Sequence, residues 1–239
     1  MATLFIDAMA QIDVAIFDVP RAFPQNAIPA DKFLMMRIRD EFVDVMSEVN
    51  PEYIPYVRYD NGKKVLYLKI LRYIYGCIES ALLWYKLYSE TLEGMGFFIN
   101  PYDRCVANKM IKGKQCTIVW YVDDNKLYHI DPNLVTDILE EIKKHFGELV
   151  ISRGDKHDFL GMKVKLSKGK LVELSMTKQF EEAIEIFGSI CGYGVKTPGV
   201  PHLWELNENA ERLDTKNSKI FHSVASKILY VTKQKRPDI

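Results

Sequence analysis

The stretch from residue 115 to residue 130 constrains the fold more than any other part of the chain. It reads Gln-Cys-Thr-Ile-Val-Trp-Tyr-Val up to Val122, then Asp123-Asp124-Asn125, then Lys-Leu-Tyr-His-Ile up to Ile130. β-Branched and aromatic residues favour extended chain. The pattern therefore predicts strands over 115–122 and 126–130, with two carboxylates at the hairpin turn. Adjacent carboxylates repel, and a divalent cation that prefers hard oxygen ligands relieves the repulsion. An ordinary Asp-Asn turn is written with the same residues, so the pair alone does not define a metal site. A second candidate lies at the end of Ile12-Asp-Val-Ala-Ile-Phe-Asp18, an apolar run that predicts a buried strand. If the two strands are neighbours in one sheet, three carboxylates meet. Such a group can hold two Mg²⁺ about 4 Å apart, an arrangement suited to in-line phosphoryl transfer.

The remaining pattern predicts a chain of mixed elements. A short helix is expected over 2–11, and an acidic helix over 31–50 that stops at Asn50-Pro51. Asp60-Asn61-Gly62 between the runs 56–59 and 65–69 is a strong hairpin signal. A helix over 78–94 closes at Gly94, a strand covers 104–111, and Asp131-Pro132 opens a helix over 133–146 that ends at Gly147. A hairpin is expected from 158–166 to 170–176 across Ser167-Lys168-Gly169, then a helix over 177–188, a polar linker over 192–219 and a last helix over 220–234. Frequent hairpins among helices predict an α+β fold with a mainly antiparallel sheet.

Composition sets limits around this reading. Lys plus Arg and Asp plus Glu each number 32, so the net charge is zero and a nucleic-acid groove must be a local basic patch. Basic residues between 63 and 114 are candidates for phosphate contacts. The four cysteines lack C-x-x-C spacing and none pairs with a histidine at zinc-finger spacing, so reduced thiols inside a cell are expected. No run of 18 apolar residues occurs and the start has no basic region before an apolar core, so neither a membrane span nor a signal peptide is expected.

Several stretches taken together resemble the reverse transcriptases of copia-type LTR retrotransposons. Tyr121-Val-Asp-Asp124 is similar to the Tyr-x-Asp-Asp signature, and Asp18-Val-Pro-Arg-Ala-Phe23 to the first aspartate motif. Tyr75-Gly-Cys-Ile-Glu-Ser80 through Trp84-Tyr85 resembles Tyr-Gly-x-x-x-Ser-x-x-x-Trp-Tyr, and Phe159-Leu-Gly161 the primer-grip hairpin. Phe221-His222, Leu229-Tyr230 and the terminal Arg236-Pro-Asp-Ile239 resemble the segment before the RNase H region. The similarity runs from about residue 12 to the last residue, in the family's order.

The resemblance implies a polymerase palm over 1–176, with a fingers-like insertion at about 24–70, and a thumb- or connection-like part over 177–239. It implies an RNA-directed DNA polymerase that uses two Mg²⁺, with Mn²⁺ as a substitute. Asp18, Asp123 and Asp124 would be the metal ligands, with a backbone group of Val19 serving the metal and the incoming triphosphate. Phe23 would be the steric gate against a ribose 2′-OH; a core aromatic is the plainer reading. Tyr75 and Gly76 would line the nucleotide pocket. Tyr121, Val122, Phe159, Leu160 and Gly161 would lie along the primer and template. Lys156 is a candidate proton donor to pyrophosphate, or else a solvated lysine. Implied partners are an RNA or DNA template–primer, deoxynucleoside triphosphates and the rest of a retrotransposon polyprotein, in a cytoplasmic virus-like particle or the nucleus.

Three departures bear on activity. Only about a dozen residues precede the first strand here, where the family pattern has a longer upstream fingers segment, so a partial fingers region is expected. Cys77-Ile-Glu-Ser-Ala81 stands where relatives carry Leu-Lys-Gln-Ser-Pro, and a glutamate beside a phosphate site is unfavourable. Pro24 replaces the usual Leu. A polyprotein fragment or decayed copy is therefore expected. The alternatives are an inactive palm remnant that only binds nucleic acid or a protein, and a different palm-type polymerase or nucleotidyl cyclase.

Overall fold

The computed structural model of the chain describes residues 12–167, 171–188, 205 and 209–234. The helix expected over 2–11, most of the expected linker, Lys168-Gly169 and the terminal Arg236–Ile239 lie outside the described residues. The strands are β1 (Asp13–Asp18), β2 (Met35–Arg39), β3 (Arg58–Asp60), β4 (Lys63–Lys69), β5 (Phe98–Ile99) and β6 (Val106–Ile111). They continue as β7 (Lys114–Tyr121), β8 (Asp124–His129), β9 (Val150–Arg153), β10 (Lys156–Phe159), β11 (Met162–Ser167) and β12 (Leu171–Ser175). The helices are α1 (Glu41–Val49), α2 (Ser80–Gly94), α3 (Pro132–Phe146), α4 (Thr177–Phe187) and α5 (Thr215–Gln234).

The central sheet has six antiparallel strands in the order β5-β6-β7-β8-β1-β9. β1 is apolar on both faces because both are covered. Ala15 and Phe17 enter a core shared with α2 and α3, where Trp84, Leu92, Ile138 and Ile142 meet Ile118 and Leu127. Val14 and Ile16 face a second core with Tyr128, Phe159, Met162, Val164 and Val231. That core is roofed by the three-stranded sheet β10-β11-β12 and by α5. Full burial of each large aliphatic or aromatic side chain contributes about 1.5–3 kcal/mol, so two cores meeting on one strand hold β1 firmly. α3 has the expected ends: the Asp131 side chain accepts the Asn133 amide, Pro132 occupies the first turn, and Gly147 closes the helix at φ +85°.

A smaller sheet, β2-β4-β3, carries α1 on one side. Here the reading of 31–50 as one helix is corrected: Met35–Arg39 is a strand paired with Lys69–Val65, and only Glu41–Val49 is helical. Asp40 at φ +52° separates the two. The alternation of Met36 and Ile38 with Arg37 and Arg39 is a period-two signal that an acidic helix beside it obscured. The Asn61-Gly62 turn forms as expected, with both residues at positive φ. The hairpin expected from 158–166 to 170–176 is also corrected. It is a three-stranded meander with an additional turn at Leu160-Gly161, between Phe159 and Met162.

Candidate active site

Three acids lie at one end of the central sheet. Asp18 is the last residue of β1 and Asp124 the first of β8, and the register sets them directly opposite each other. Opposed residues in an antiparallel pair have Cα atoms about 4.5–5.5 Å apart and side chains on the same face. Asp123 sits beside them in the Val122-Asp123 turn, closed by the Tyr121–Asp124 pair. The Val19 N–H donates to the Asp123 carbonyl (3.3 Å), which ties the turn to the end of β1.

The turn is strained. Val122 has φ +59°, a region that costs a β-branched residue about 1–3 kcal/mol. Two side chains hold it there. The Trp84 indole Nε1–H donates to the Val122 carbonyl (2.7 Å), and Asn125 Nδ2 donates to the Asp123 carbonyl. Trp84 is itself locked between Tyr88 and Phe146, with ring centroids 5.2 and 5.3 Å away. Neither anchor was assigned a role by sequence reasoning; the available signal was a tryptophan on an apolar helix face, because a buried indole needs an acceptor.

Burial and mutual repulsion push the Asp18 carboxyl above the usual range, through desolvation first and then the charges of Asp123 and Asp124. Asp124 is also raised, by desolvation and by Asp123, against the Leu160 amide that donates to it. Tyr75 donates its hydroxyl to Asp123 Oδ2 (2.9 Å), and its own ionisation is pushed up to about 12 by burial, by that bond and by the nearby acids. Among the described residues no three His, Cys, Asp or Glu side chains are gathered closely enough to hold a metal ion. The acids feel one another's charge, and the Tyr75 hydroxyl and the Leu160 amide each favour the ionised form of one of them.

The other expected site residues are distributed unequally. Phe23 belongs to the main core at 7% exposure, with the Tyr75 ring tilted against it, centroids 4.4 Å apart. The Val19 N–H is engaged, so the expected contact with a triphosphate is not on offer there, and the Val19 carbonyl can serve only a metal. Gly76 has φ +97°, with no atom within 4 Å of where a Cβ would stand. Tyr121 is exposed at the rim of the site. Phe159 is buried in the second core, while Leu160 and Gly161 form the turn beside Asp124. Lys156 is not brought to the acids. It lies three positions before Phe159 and on the opposite face of β10, about 10 Å along the strand. There it lines a hollow of about 480 Å³ with Lys163, Lys165 and Glu173. Glu79, expected to burden the phosphate site, is turned away: its carboxylate accepts from Lys32 and from the Tyr73 hydroxyl (3.0 Å), and Lys32 holds it below the usual range.

No protein-family model matches this chain. It is similar to the truncated transposon Ty1-A Gag-Pol polyprotein of Saccharomyces cerevisiae, 27% identical over 146 residues, covering 57% of this chain and 12% of that protein. It is also similar to the Ty1-ER2 and Ty1-MR2 Gag-Pol polyproteins of the same yeast, each 25% identical over 178 residues, covering 68% of this chain and 10% of theirs. The chain thus spans about a tenth of the length of these relatives. Two solved structures share a more distant likeness. One is apo telomerase from Candida tropicalis, truncated from its C-terminal domain (TM-score 0.36, 8% identity, 72% of this chain and 38% of that one). The other is Candida albicans telomerase in complex with a TWJ fragment of telomeric RNA (TM-score 0.39, 12% identity, 78% and 37%). In sequence, the chain is therefore similar to a segment of retrotransposon Gag-Pol polyproteins.

Proposed function

We propose that this chain is the reverse transcriptase part of a retrotransposon polyprotein, adding deoxynucleotides to a primer 3′-OH on an RNA or DNA template. The observation that carries the reading is the direct opposition of Asp18 and Asp124 across β1 and β8, with Asp123 on the adjoining turn. Similarity to Gag-Pol polyproteins supports it. In this reading residues 1–176 are the palm, with a fingers-like insertion at about 24–70, and 177–239 are thumb- or connection-like.

The donor set fits Mg²⁺ in kind. Three carboxylates and the Val19 carbonyl are hard oxygen ligands, and the repulsion that raises Asp18 and Asp124 is what a cation removes. Two bound Mg²⁺, or Mn²⁺, would supply activation of the primer hydroxyl and charge stabilisation at the leaving pyrophosphate. The chain's own residues do the positioning. Val122 and Trp84 hold Asp123 at the turn apex, and Tyr75 takes one acceptor position of Asp123 Oδ2, leaving the rest of that carboxylate for a cation. Phe23 is the gate that rejects a 2′-OH, with Tyr75 and Gly76 beside it. The Phe159–Gly161 turn holds the primer end, with Tyr121 and Val122 near its terminus. Lys156 has no part in this reading, because it faces away. The cytoplasmic particle, or the nucleus, is the proposed setting.

A second reading has its own observation. Tyr75 and the Leu160 amide already satisfy two of the carboxylates, as in a palm that has ceased to bind metal. Primer extension on an RNA template with Mg²⁺ separates the two. The polymerase reading expects extension by the wild type and none by Asp123→Asn. Retained primer–template binding without extension by the wild type supports the inactive palm.

A further inference from the structure

The acids are coupled to the last helix through a single turn. Leu160 and Gly161 join β10 to β11 with φ +50° and +66°, both left-handed, and for leucine that conformation is disfavoured. Leu160 is held through its carbonyl, which accepts from the Tyr230 hydroxyl at 2.5 Å. Its N–H lies toward the Asp124 carboxylate, whose ionised form it favours. The next carbonyl, that of Gly161, accepts from Gln179 of α4 at 2.5 Å. A Cβ on Gly161 would lie 3.5 Å from the Tyr230 hydroxyl, which therefore packs within ordinary contact of the turn.

Tyr230 is in turn fixed. Its helix is anchored in the second core by Val231, 1% exposed, and linked to α4 by the Lys227–Glu182 ion pair. The hydroxyl therefore reaches the turn from a braced position on α5, and the turn reaches the acid.

We propose that Tyr230 is a positioning residue. Through Leu160 it sets where the Leu160-Gly161 turn stands over Asp124, and hence where a primer end meets the carboxylates. The effect on catalysis rests on the polymerase reading above; the link from Tyr230 to Asp124 does not. Reacting atoms must meet within about 3–3.5 Å, and a displacement of about 1 Å costs as much as a hundredfold in rate. A turn freed at one of two helix contacts shifts by less, so the expected loss is nearer tenfold.

Tyr230→Phe keeps the ring and removes only the hydroxyl. Hydrogen exchange across residues 158–163 reports the link without any turnover. Tyr230→Phe should speed exchange of the Leu160 amide about tenfold, the effect of losing one supporting hydrogen bond. Asp124→Ala should speed the same amide, while amides of β11 keep their protection in both variants. In single-nucleotide extension, Tyr230→Phe should lower kcat about tenfold and leave KM for the nucleotide unchanged. Unchanged Leu160 exchange in Tyr230→Phe overturns the proposal, even with extension intact. Faster exchange with an unchanged kcat reduces Tyr230 to a structural clamp and overturns it as well. If the wild type extends no primer while both variants release Leu160, the polymerase reading falls and the link stands.

Discussion

Trp84→Phe tests how the strained turn is held. Trp84 is 1% exposed, and its indole N–H donates to the Val122 carbonyl at 2.7 Å. Phenylalanine keeps an aromatic ring between Tyr88 and Phe146 but cannot donate. Loss of the bond costs about 0.5–1.5 kcal/mol net, and more where the carbonyl stays dry. The smaller ring leaves space in a core packed at crystal-like density and adds about 1–2 kcal/mol. The sum is about 1.5–3.5 kcal/mol, or a fall in Tm of about 5–10 °C for a domain of this size. The turn should also relax from the positive φ of Val122, moving Asp123 and weakening metal binding about tenfold. Thermal melts with and without Mn²⁺ measure both effects. A Tm within about 1 °C of wild type, with unchanged stabilisation by Mn²⁺, would refute the view that Trp84 holds the turn.

Other outcomes follow from the same geometry. Tyr88 is fully buried and its hydroxyl has no partner among the described residues, so Tyr88→Phe should be neutral or raise stability by about 1 kcal/mol in a denaturant melt. Folding raises the carboxyl pKa of Asp18 and Asp124, so ionising them opposes the metal-free fold. Their contribution is neutral below the unfolded value and grows destabilising as pH climbs through the raised folded values; Asp18→Asn should therefore raise the metal-free Tm at pH 7. A Tm that falls contradicts the sign. Protons compete for the same oxygens, so Mn²⁺ affinity should weaken as pH drops through that window. Phe23→Ala should admit ribonucleotides more readily in single-nucleotide incorporation, and unchanged selectivity removes the gate.

Local signals were legible where chain chemistry is decided within a few residues. Asn61-Gly62 selects its turn through positive φ, and α3 is bounded by Asp131-Pro132 and Gly147. The opposition of Asp18 and Asp124 was readable only as a condition, that β1 and β8 are neighbours, because strand order is set by burial on both faces of β1. β9 escaped notice: four residues with only Ile151 partly buried in the main core carry little periodic signal. The Leu160-Gly161 turn escaped because leucine at positive φ is held by distant partners, Tyr230 and Asp124, and not by its own preference. The Tyr75–Asp123 bond has the same character: it joins residues 48 apart, and no local pattern announces it. For Lys156 the sequence leaves a proton donor and a solvated lysine both open, and the exposed position fits the second. Strand alternation decides which face a residue joins, and the boundary of β10 was not evident from composition.

Mn²⁺ binding, followed by electron paramagnetic resonance on the metal-free chain, tests most directly whether opposed acids form a cation site. Saturable binding of two ions per chain is expected, weakened severalfold or more by Asp18→Asn and by Asp123→Asn, and strengthened by Tyr75→Phe, which frees Asp123 Oδ2. Absence of saturable binding, or binding indifferent to both aspartate substitutions, would contradict it.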